Sequence, residues 1–455
     1  MADRLSARAA LALVTGDFAE LPHPRRRSAP DGPLGWHGYD DARARAADRT
    51  GESESVVCGT GTVGGTRAVL IAFEFGFLGG SLGEGTGDRL ESAHRHARAH
   101  RLPVVSLVAT GGSRMQEGML ALSQLQRVAR ESALTREAGL AQLAVVRDPT
   151  TGGGWATLGA GADVTLALPG AQVGFAGSRV RPADADPAAY TAEAQVAAGS
   201  ADAVVRPAEL PETLGLWLRL LTGGSGEPAE VPEPLGGSGD PPATGWEAVR
   251  RARSPERPRA RAYLDAYFSR RTAVVGDRCG GADPDGVLCG FGTARRDGRT
   301  VAFAAQTGTA TRPAGYRTAT RLIRLADRLG IPVLTLVDTP GAANDAEAER
   351  QGVGPAIAEL FGTVATARIP VTTLVVGEGG SGGALALAAP GRTWATPDSY
   401  FSVIAPESAA AILKRPAAQV PATADELRLR PQDLAELGVI RTGDQMFPGT
   451  GDRRS

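Results

Sequence analysis

Two glycine-rich turns occur in the same order in both halves of this chain, and they constrain its fold more than any other feature. The matching segments are LPVVSLVATGG (102–112) with IPVLTLVDTPG (331–341), and VVRDPTTGG (145–153) with VVGEGGSGG (375–383). The turns lie 41 residues apart in the first half, from Gly112 to Gly153, and 42 in the second, from Gly341 to Gly383. Two motifs at so similar a separation indicate a tandem duplication of one structural unit.

Each copy alternates apolar strands with helix-like segments. A hairpin is predicted from residues 55–60 and 66–73 around the turn GTVGG, and ordered structure is expected to start near Val56. Downstream, each glycine turn joins an apolar strand to a segment with helical periodicity. This alternation predicts an α/β fold with buried, mostly parallel strands in both copies.

The stretch between the copies differs in composition. Residues 223–244 read GGSGEPAEVPEPLGGSGDPPAT, which is rich in Gly, Pro and Glu and offers few apolar side chains for burial. Such a composition is typical of a domain boundary. We therefore expect an N-terminal domain over residues 1–222, a linker over 223–244 and a C-terminal domain over 245–455.

The overall composition narrows the range of functions. With 42% hydrophobic and 22% charged residues the chain is globular, and a formal net charge of -1 argues against binding to nucleic acid or to anionic membranes. Cys58, Cys279 and Cys289 are too few for a disulfide framework or a four-ligand zinc site. The first residues do not resemble a signal peptide, and no apolar run is long enough to span a membrane. These features predict a soluble cytoplasmic protein.

The glycine turns suit main-chain chemistry. A strand that runs through glycines into a helix leaves unpaired N–H groups pointing outward, and glycine lets a ligand approach the backbone. A single turn of this kind also fits simple close packing of a helix on a strand. Two such turns in one copy can aim N–H groups at one point, which is the layout of an oxyanion hole. Two copies would provide two holes, suited to a reaction in which two carbonyl-like oxygens gain negative charge.

Side chains suited to acid–base or metal chemistry are scarce near these turns. All five histidines precede residue 101, which argues against a Ser-His-Asp or Cys-His arrangement at the second pair of turns. His96 and His100 lie four residues apart on a predicted helix and could bind a metal or simply face solvent. The phosphate-loop ending GK[ST] and a G-x-G-x-x-G motif followed by an acid are both missing from the sequence.

Four charged residues flank the turns. Glu117 could act as a general acid or base, or it could complement a helix dipole. Arg114 could bind a phosphate or pair with Glu117. Asp338 and Glu378 are expected to be turn and cap residues.

Taken together, the motifs resemble the carboxyltransferase component of biotin-dependent acyl-CoA carboxylases, in the crotonase superfamily. In the first half, FGFLGGSLG, GGSRMQEG, DPTTGG and GFAGSRV follow the order of the β subunit of the bacterial acetyl-CoA carboxylase carboxyltransferase. In the second half, GYRTATRLIRLADRLGIPVLTLVDTPGA, GEGGSGGALAL and YFSVIAPESAAAIL follow the α subunit. The resemblance covers about residues 56–205 and 260–447, and it implies a tandem duplication of a crotonase-like (ClpP/crotonase) ββα spiral unit.

The resemblance implies carboxyl transfer from carboxybiotin, held on a carrier protein, to the α-carbon of an acyl thioester such as acetyl-CoA or a close analogue. One hole would stabilise the biotin ureido oxyanion as CO2 is released, and the biotin nitrogen would remove the α proton. The other hole would hold the enolate that attacks CO2, without a metal or a side-chain base. The product would be a malonyl-CoA-type thioester, as used in fatty acid or polyketide biosynthesis.

The resemblance also assigns residues to the two sides of the reaction. The acyl-thioester side would use Gly111, Gly112, Gly152 and Gly153, and the biotin side Gly341, Ala342, Gly382 and Gly383. The substrate-binding residues would be Arg114, Gly79, Gly80, Phe175 and Gly177. Sites in this family form between the first half of one chain and the second half of another, which predicts a homodimer or a larger homo-oligomer.

The sequence departs from the family pattern in three places. The N-terminal zinc ribbon of the β subunit is missing, and the long basic loop of the α subunit is shortened to QTGTATRPAGYR, which leaves Arg312 and Arg317 as its basic residues. Trp155 follows GGG where the family usually has a small side chain, and its ring could reshape the acyl pocket. The only lysine, Lys414, lies in ILKRP and not in a biotinylation motif, so a biotin carboxyl carrier protein and a biotin carboxylase are expected as partners.

Two other functions are compatible with the sequence. One is biotin-independent decarboxylation of a malonyl-type thioester in a specialised pathway, where the same holes would stabilise the same enolate. The other is a non-catalytic or hydrolytic descendant that keeps the fold.

Overall fold

The computed structural model describes residues 4–23, 26, 29–236 and 239–441. The chain forms two compact units. Unit 1 comprises Met1–Thr222 with Arg278–Gly280, and unit 2 comprises Gly223–Asp277 with Gly281–Ser455. The end of the expected C-terminal domain, residues 442–455, lies outside the described residues, as do residues 237 and 238 of the expected linker.

Unit 1 is built on one mixed sheet. Its strands are β1 (Ala19–Glu20), β2 (Val56–Val63), β3 (Thr66–Phe73), β4 (Val104–Thr110), β5 (Gln142–Thr151), β6 (Val164–Ala167), β7 (Val173–Gly174) and β8 (Ala203–Val204). Its helices are α1 (Ala7–Val14), α2 (Tyr39–Thr50), α3 (Glu84–His100), α4 (Gly118–Glu137), α5 (Gly152–Gly154), α6 (Ala192–Ala197) and α7 (Leu210–Thr222). The sheet order is β1-β2-β3-β4-β5-β6-β8, and β7 pairs with the end of β5.

The predicted hairpin and the predicted parallel strands of unit 1 are confirmed. β2 and β3 pair antiparallel, and β3, β4, β5, β6 and β8 then run parallel. Helices α3 and α4 connect consecutive parallel strands, as βαβ crossovers require. The core includes Ile71 of β3, Leu90 of α3, Val104 of β4 and Val128 of α4.

Unit 2 repeats this arrangement. Its strands are β9 (Phe268–Ala273), β10 (Val287–Ala294), β11 (Thr300–Gln306), β12 (Val333–Thr339), β13 (Val371–Gly380), β14 (Thr393–Ala395) and β15 (Tyr400–Ser402). Its helices are α8 (Gly245–Arg253), α9 (Ala260–Tyr267), α10 (Pro313–Leu329), α11 (Ala346–Arg350), α12 (Val353–Thr366), α13 (Ser381–Leu385), α14 (Pro406–Ile412), α15 (Val420–Glu426) and α16 (Pro431–Glu436). The order is β14-β13-β12-β11-β10-β9, and β15 pairs with the end of β13.

The two units share one topology. β10 and β11 form the antiparallel hairpin that β2 and β3 form in unit 1, and β11, β12 and β13 run parallel as β3, β4 and β5 do. In both units a short strand extends the tip of the longest strand, β7 on β5 and β15 on β13. Equal topology places each pair of glycine turns at the carboxyl ends of two neighbouring parallel strands.

Two segments differ from the expectations based on composition. Order begins well before Val56, because α2 is a regular helix with Tyr39 fully buried. The glycine- and proline-rich segment 223–244 contributes to the core of unit 2, where Ala229 is buried and its carbonyl accepts a hydrogen bond from Thr372 Oγ1 at 2.9 Å. No helix among the described residues combines the length and apolar content that a membrane span requires.

Candidate functional site

The first glycine turn of unit 1 follows β4 and is held by hydrogen bonds to the Thr110 side chain and to the backbone of Leu82. Gly112 has a φ of +109°, which favours glycine, and its N–H donates to Thr110 Oγ1 at 3.1 Å. Its carbonyl accepts from Leu82 N at 2.9 Å, and Arg114 N donates back to the Leu82 carbonyl at 2.9 Å. Ser113 sits between these two bonds, so its own N–H is directed away from Leu82.

The first glycine turn of unit 2, after β12, has the same hydrogen bonds. Gly341 has a φ of +141°, and its N–H donates to Thr339 Oγ1 at 3.2 Å. Its carbonyl accepts from Thr311 N at 3.2 Å, and Ala343 N donates to the Thr311 carbonyl at 2.9 Å. Ala342 therefore occupies the position of Ser113. Within the described residues, neither the Ser113 N–H nor the Ala342 N–H meets a protein acceptor.

The second turns also match, but with a register one residue away from the sequence alignment. Thr110 pairs with Thr150, and Thr339 pairs with Gly379, so Thr150 is equivalent to Gly379. Counting from these pairs, Gly152 corresponds to Ser381. These two residues begin α5 and α13 and have φ values of +63° and +57°.

This register corrects the ungapped alignment of 145–153 with 375–383. Gly153 is equivalent to Gly382, and Gly154 to Gly383. The separation between the two turns is then the same in both units. The sequence alignment was wrong by one residue because Ser381 adopts the left-handed conformation, which the sequence suggests for the neighbouring glycine, Gly382.

Several of the predicted glycines do not offer a free N–H. Gly111 N donates to the Gly79 carbonyl at 2.9 Å, and Gly152 N donates to the Phe175 carbonyl at 3.0 Å. Gly111 and Gly152 therefore shape the turns of unit 1 through their own backbone bonds. In the part of the chain that the structure describes, the N–H groups of Gly153, Gly382 and Gly383 have no protein acceptor.

The two turns of each unit come close together. A Cβ built on Gly152 would lie 3.1 Å from Gly112 Cα, and one on Gly383 would lie 2.4 Å from Ala342 N. A contact of 2.4 Å with a backbone nitrogen leaves no room for a side chain at residue 383. In each unit, strand-end and helix-start N–H groups therefore converge, which is the geometry expected of an oxyanion hole.

Arg114 lies behind the first turn of unit 1 in a buried ionic cluster. Only 1% of its side chain is exposed, and its Nη1 lies 3.1 Å from Glu54 Oε2 and 3.2 Å from Glu117 Oε1. Burial alone would raise the pKa of Glu54, but the Arg114 guanidinium outweighs burial and lowers that pKa to about 2. The guanidinium also donates to the Ser81 carbonyl at 2.8 Å.

These contacts decide between the two interpretations of Arg114. Its charge is neutralised by Glu54 and Glu117 and is not presented to a phosphate, so the predicted substrate contact is replaced by support of the turn. Glu117 accepts from the Tyr39 hydroxyl at 2.5 Å and from the backbone N–H of Glu84, at the start of α3, at 2.6 Å. Glu117 therefore complements a helix dipole, that of α3, and not that of its own turn.

The other predicted substrate-binding residues surround the turns of unit 1. The Gly79 carbonyl holds Gly111, and a Cβ on Gly80 would lie 2.1 Å from the Ala109 carbonyl oxygen. The Phe175 carbonyl holds Gly152, while 74% of its side chain is exposed. A Cβ on Gly177 would lie 3.6 Å from Thr151 Oγ1.

In unit 2, the predicted turn and cap residues carry structural bonds. Asp338 accepts from Arg257 Nη2 at 2.5 Å and from Glu378 N at 3.1 Å. Glu378 accepts from Arg253 Nε at 2.8 Å and from the Tyr400 hydroxyl at 2.9 Å. Both carboxylates stabilise strand ends beside the second turn, as expected.

Residues outside the turns have mainly structural partners. Trp155 stands at the position of Ala384 and packs in a core cluster with Val146 and Val173. Arg312, in the shortened loop, pairs with Asp345 at 2.9 Å. Among the described residues, no group of three or more His, Cys, Asp or Glu side chains is placed to hold a metal ion.

Sequence reasoning missed four residues that support the turns. Tyr39 and Glu54 were not singled out because they lie 78 and 60 residues along the chain from their partners Glu117 and Arg114. Gln306 and Tyr316 were passed over because their common acceptor, the Gly383 carbonyl, lies 77 and 67 residues further on. Tyr316 does occur in the GYR motif, which was the one signal available for it.

Comparison with known proteins gives a consistent result for both units. A family model described as "Carboxyl transferase domain" matches residues 34–204, and one described as "Acetyl co-enzyme A carboxylase carboxyltransferase-like" matches residues 242–445. The acetyl-coenzyme A carboxylase carboxyl transferase subunits beta/alpha of Salinispora arenicola are 40% identical over 96% of this chain and 81% of theirs. The protein with the same description from Saccharopolyspora erythraea is 39% identical over 91% of this chain and 77% of its own length.

Solved structures support the fold. The transcarboxylase 12S hexamer matches with a TM-score of 0.77 and 22% identity over 96% of this chain and 86% of that chain. A single-chain, multi-domain long-chain acyl-CoA carboxylase matches with a TM-score of 0.71 and 20% identity over 95% of this chain and 44% of that chain. The predicted fold class, a tandem duplication of a crotonase-like α/β unit, is confirmed.

Proposed function

The chain belongs to the family of acetyl-coenzyme A carboxylase carboxyl transferases, a family of transferases, and from that membership we propose how its two pairs of turns divide the reaction. The activity is carboxyl transfer between biotin and an acyl-CoA. The observation that carries the proposal is the pair of equivalent sites, in each of which N–H groups from a strand end and a helix start meet no protein acceptor among the described residues.

The turns of unit 1 serve the acyl thioester. The N–H groups of Ser113 and Gly153 face the position where the thioester oxygen gains negative charge, and Gly112 shapes the turn that presents them. Preorganised donors of this kind contribute about 2.7–4 kcal/mol each to transition-state stabilisation. Gly79, Gly80, Phe175 and Gly177 border this side of the site, and acetyl-CoA or a close analogue is the substrate.

The turns of unit 2 serve biotin. The N–H groups of Ala342, Gly382 and Gly383 are placed to hold a ureido oxygen, and the lack of a competing protein acceptor for them within the described residues fits that role. Carboxybiotin, when bound, supplies the CO2 unit and the nitrogen that takes the α proton. The main chain keeps both reacting groups oriented without a histidine or a metal in this scheme.

The partners follow from the same assignment. Biotin arrives on a separate carrier protein that a biotin carboxylase has loaded, since Lys414, the only lysine, is not in a biotinylation motif. The active assembly is a homodimer or larger. Exposed apolar side chains close to the first turn of unit 1, Met115 and Met119, support a protein contact there. The cytoplasmic location and the supply of malonyl-type thioesters for fatty acid or polyketide synthesis belong to this proposal.

The experiment is a reverse reaction with the full chain, malonyl-CoA and biocytin. Acetyl-CoA formation that requires biocytin supports carboxyl transfer, and it should be lost in Gly383→Val. Formation of acetyl-CoA at the same rate without biocytin would instead support the decarboxylase. If malonyl-CoA is not consumed either with or without biocytin, the result would favour the non-catalytic descendant.

A further inference from the structure

The Gly383 carbonyl, directly behind the second turn of unit 2, accepts two side-chain hydrogen bonds. Gln306 Nε2 and the Tyr316 hydroxyl each donate to it at 3.1 Å. Both side chains are fully buried, at 0% exposure. Burial also raises the pKa of Tyr316, so its hydroxyl stays protonated and able to donate. The peptide that follows Gly383 is therefore oriented by two fixed donors from outside its own short helix.

Gln306 connects this carbonyl to the first turn. Its amide nitrogen also lies 3.3 Å from Thr311 Oγ1, and the Thr311 backbone bonds to both Gly341 and Ala343. One amide group thus contacts the element that positions Ala342 and the element that positions Gly383. It thus links the two elements whose N–H groups converge in unit 2.

The other end of the Gln306 side chain shows that this arrangement has a cost. Its Oε1 is buried and has no hydrogen-bond partner among the described residues. A buried acceptor without a partner is unfavourable, and an apolar side chain would avoid it. Stability alone therefore does not account for an amide at this position, which points to another role for its two N–H bonds.

The equivalent position in unit 1 has no donor. Val69 of β3 pairs with Val104, and Ala302 of β11 pairs with Val333, the residue equivalent to Val104, so Val69 and Ala302 are equivalent. Four residues further along the chain, Phe73 is therefore equivalent to Gln306. Phe73 is a fully buried core residue and cannot donate a hydrogen bond.

The position of Tyr316 gives the same result. Leu82 and Thr311 form equivalent bridges to the first turns of their units, and five residues beyond them lie Gly87 and Tyr316. Gly87 has no side chain. Among the described residues, this pair of side-chain donors therefore occurs in unit 2 and not in unit 1.

We propose that Gln306 and Tyr316 are positioning residues for the biotin side of the reaction, which together set the distance and orientation of the Ala342 and Gly383 N–H groups. The inference rests on the proposed function, because it assigns unit 2 to biotin. Neither residue contacts the substrate. They act by fixing the Gly383 carbonyl, which restricts rotation about the Gly383 backbone and so limits the orientation of the Gly383 N–H in the preceding peptide. Both donors are uncharged, so they place no charge beside the oxygen that becomes negative.

The test uses the full chain with Tyr316→Phe and Gln306→Met. Tyr263→Phe is the matched control, because Tyr263 is also buried in unit 2 and its hydroxyl takes part in one hydrogen bond, accepted from Leu235 N at 3.0 Å. Three quantities are measured for each protein: biocytin-dependent turnover of malonyl-CoA, the Kd of malonyl-CoA by equilibrium dialysis, and the thermal unfolding midpoint.

We expect kcat/KM for biocytin to fall about 10-fold in Tyr316→Phe and about 100-fold in Gln306→Met, in line with the loss of preorganised donors. The Kd of malonyl-CoA should stay within about twofold of wild type, because the supports of unit 1 are untouched. Tyr263→Phe should leave both quantities unchanged.

Three results would overturn the inference. The first is a Tyr316→Phe protein that behaves like Tyr263→Phe. The second is a weaker affinity for malonyl-CoA that parallels the loss of turnover, since this would indicate a general structural effect. The third is a wild-type chain without biocytin-dependent turnover. That result would overturn the proposed function as well, whereas the first two results would overturn only the roles of Gln306 and Tyr316.

Discussion

The first turns of units 1 and 2 share the main-chain hydrogen bonds around Gly112 and Gly341, but the side chains that support the turns differ. Behind the turns of unit 1 lies a buried cluster of charges, in which Arg114 joins Glu54 and Glu117. Behind those of unit 2 lie two uncharged donors, Gln306 and Tyr316. The main-chain groups that face the substrates are therefore alike in the two units, whereas the side chains that hold those groups differ.

The largest expected effect tests the charged support. Arg114→Met should lower the free energy of unfolding by about 3–5 kcal/mol, because it leaves Glu54 and Glu117 buried without their partner. Tyr316→Phe, which removes one neutral bond in unit 2, should cost only about 1 kcal/mol. Urea denaturation of both variants measures the two values. Equal costs would contradict the distinction between a charged and an uncharged support.

The next effect concerns the glycine that closes each second turn. Gly383→Ala should lower kcat about 100-fold, because its Cβ would meet the Ala342 backbone nitrogen at 2.4 Å. Gly154→Ala should lower it about 10-fold, because its Cβ would meet the methyl group of the Thr110 side chain at 2.2 Å and not a backbone atom, although Thr110 also accepts from Gly112 N.

Gly362→Ala serves as the control for both variants, since nothing lies within 4 Å of its Cβ position in α12. Turnover with malonyl-CoA and biocytin should be unchanged in Gly362→Ala. A Gly154→Ala defect as severe as that of Gly383→Ala would show that the two turns are equally constrained.

Acid should affect the two units in opposite directions. The pKa of Glu54 is about 2 in the folded chain, below its ordinary value of 4.5, so its stabilising contribution is present above pH 4.5 and is lost as the pH falls towards 2. Burial raises the pKa of Asp338 despite its contact with Arg257. Its contribution is present below the ordinary value of 3.8 and is lost as the pH rises through the folded pKa.

Hydrogen exchange, corrected for the intrinsic rates, can measure this difference between pH 5 and pH 3. Peptides from β2 and α3 should lose about 2 kcal/mol of protection at the lower pH, and peptides from β12 should not. Faster exchange in β12 than in β2 at pH 3 would contradict the assignment.

The smallest effect tests two exposed side chains at equivalent positions. Phe175 and Val403 follow the short strands β7 and β15, and each is 74% exposed. Phe175→Ala should raise the Kd of malonyl-CoA about threefold and Val403→Ala the Kd of biocytin by a similar factor, with unfolding free energies within about 0.5 kcal/mol of wild type. Equilibrium dialysis of both ligands against both variants checks this, and an effect of either variant on the other ligand would weaken the comparison.

The sequence was sufficient for the topology because both turns are short-range signals repeated in order. Strand, glycine turn and helix follow one another along the chain, so local pattern alone predicts βαβ units and their duplication. The one-residue error at the second turn arose because Ser381 takes a positive φ that the sequence does not reveal. Only strand pairing, which depends on three-dimensional contacts, identifies Gly152 as its equivalent.

The supports of the turns could not be predicted for a different reason. Arg114 had one visible partner, Glu117, three residues away, but its second carboxylate, Glu54, comes from a distant part of the chain. Glu54 and Gln306 carry no local pattern that distinguishes them from other polar residues. Long-range contacts of this kind depend on the packing of whole elements, and sequence periodicity does not contain that information.

The central claim is that the turns of unit 1 serve the acyl thioester and those of unit 2 serve biotin. Gly112 and Gly341 are equivalent, and both have φ values that strain any other residue, +109° and +141°. The most direct test therefore measures the Kd of malonyl-CoA and of biocytin for Gly112→Ala and Gly341→Ala. We predict that Gly112→Ala weakens only malonyl-CoA binding and Gly341→Ala only biocytin binding, each about 10-fold. If both variants weaken the same ligand, or if Gly112→Ala weakens biocytin alone, the assignment is wrong.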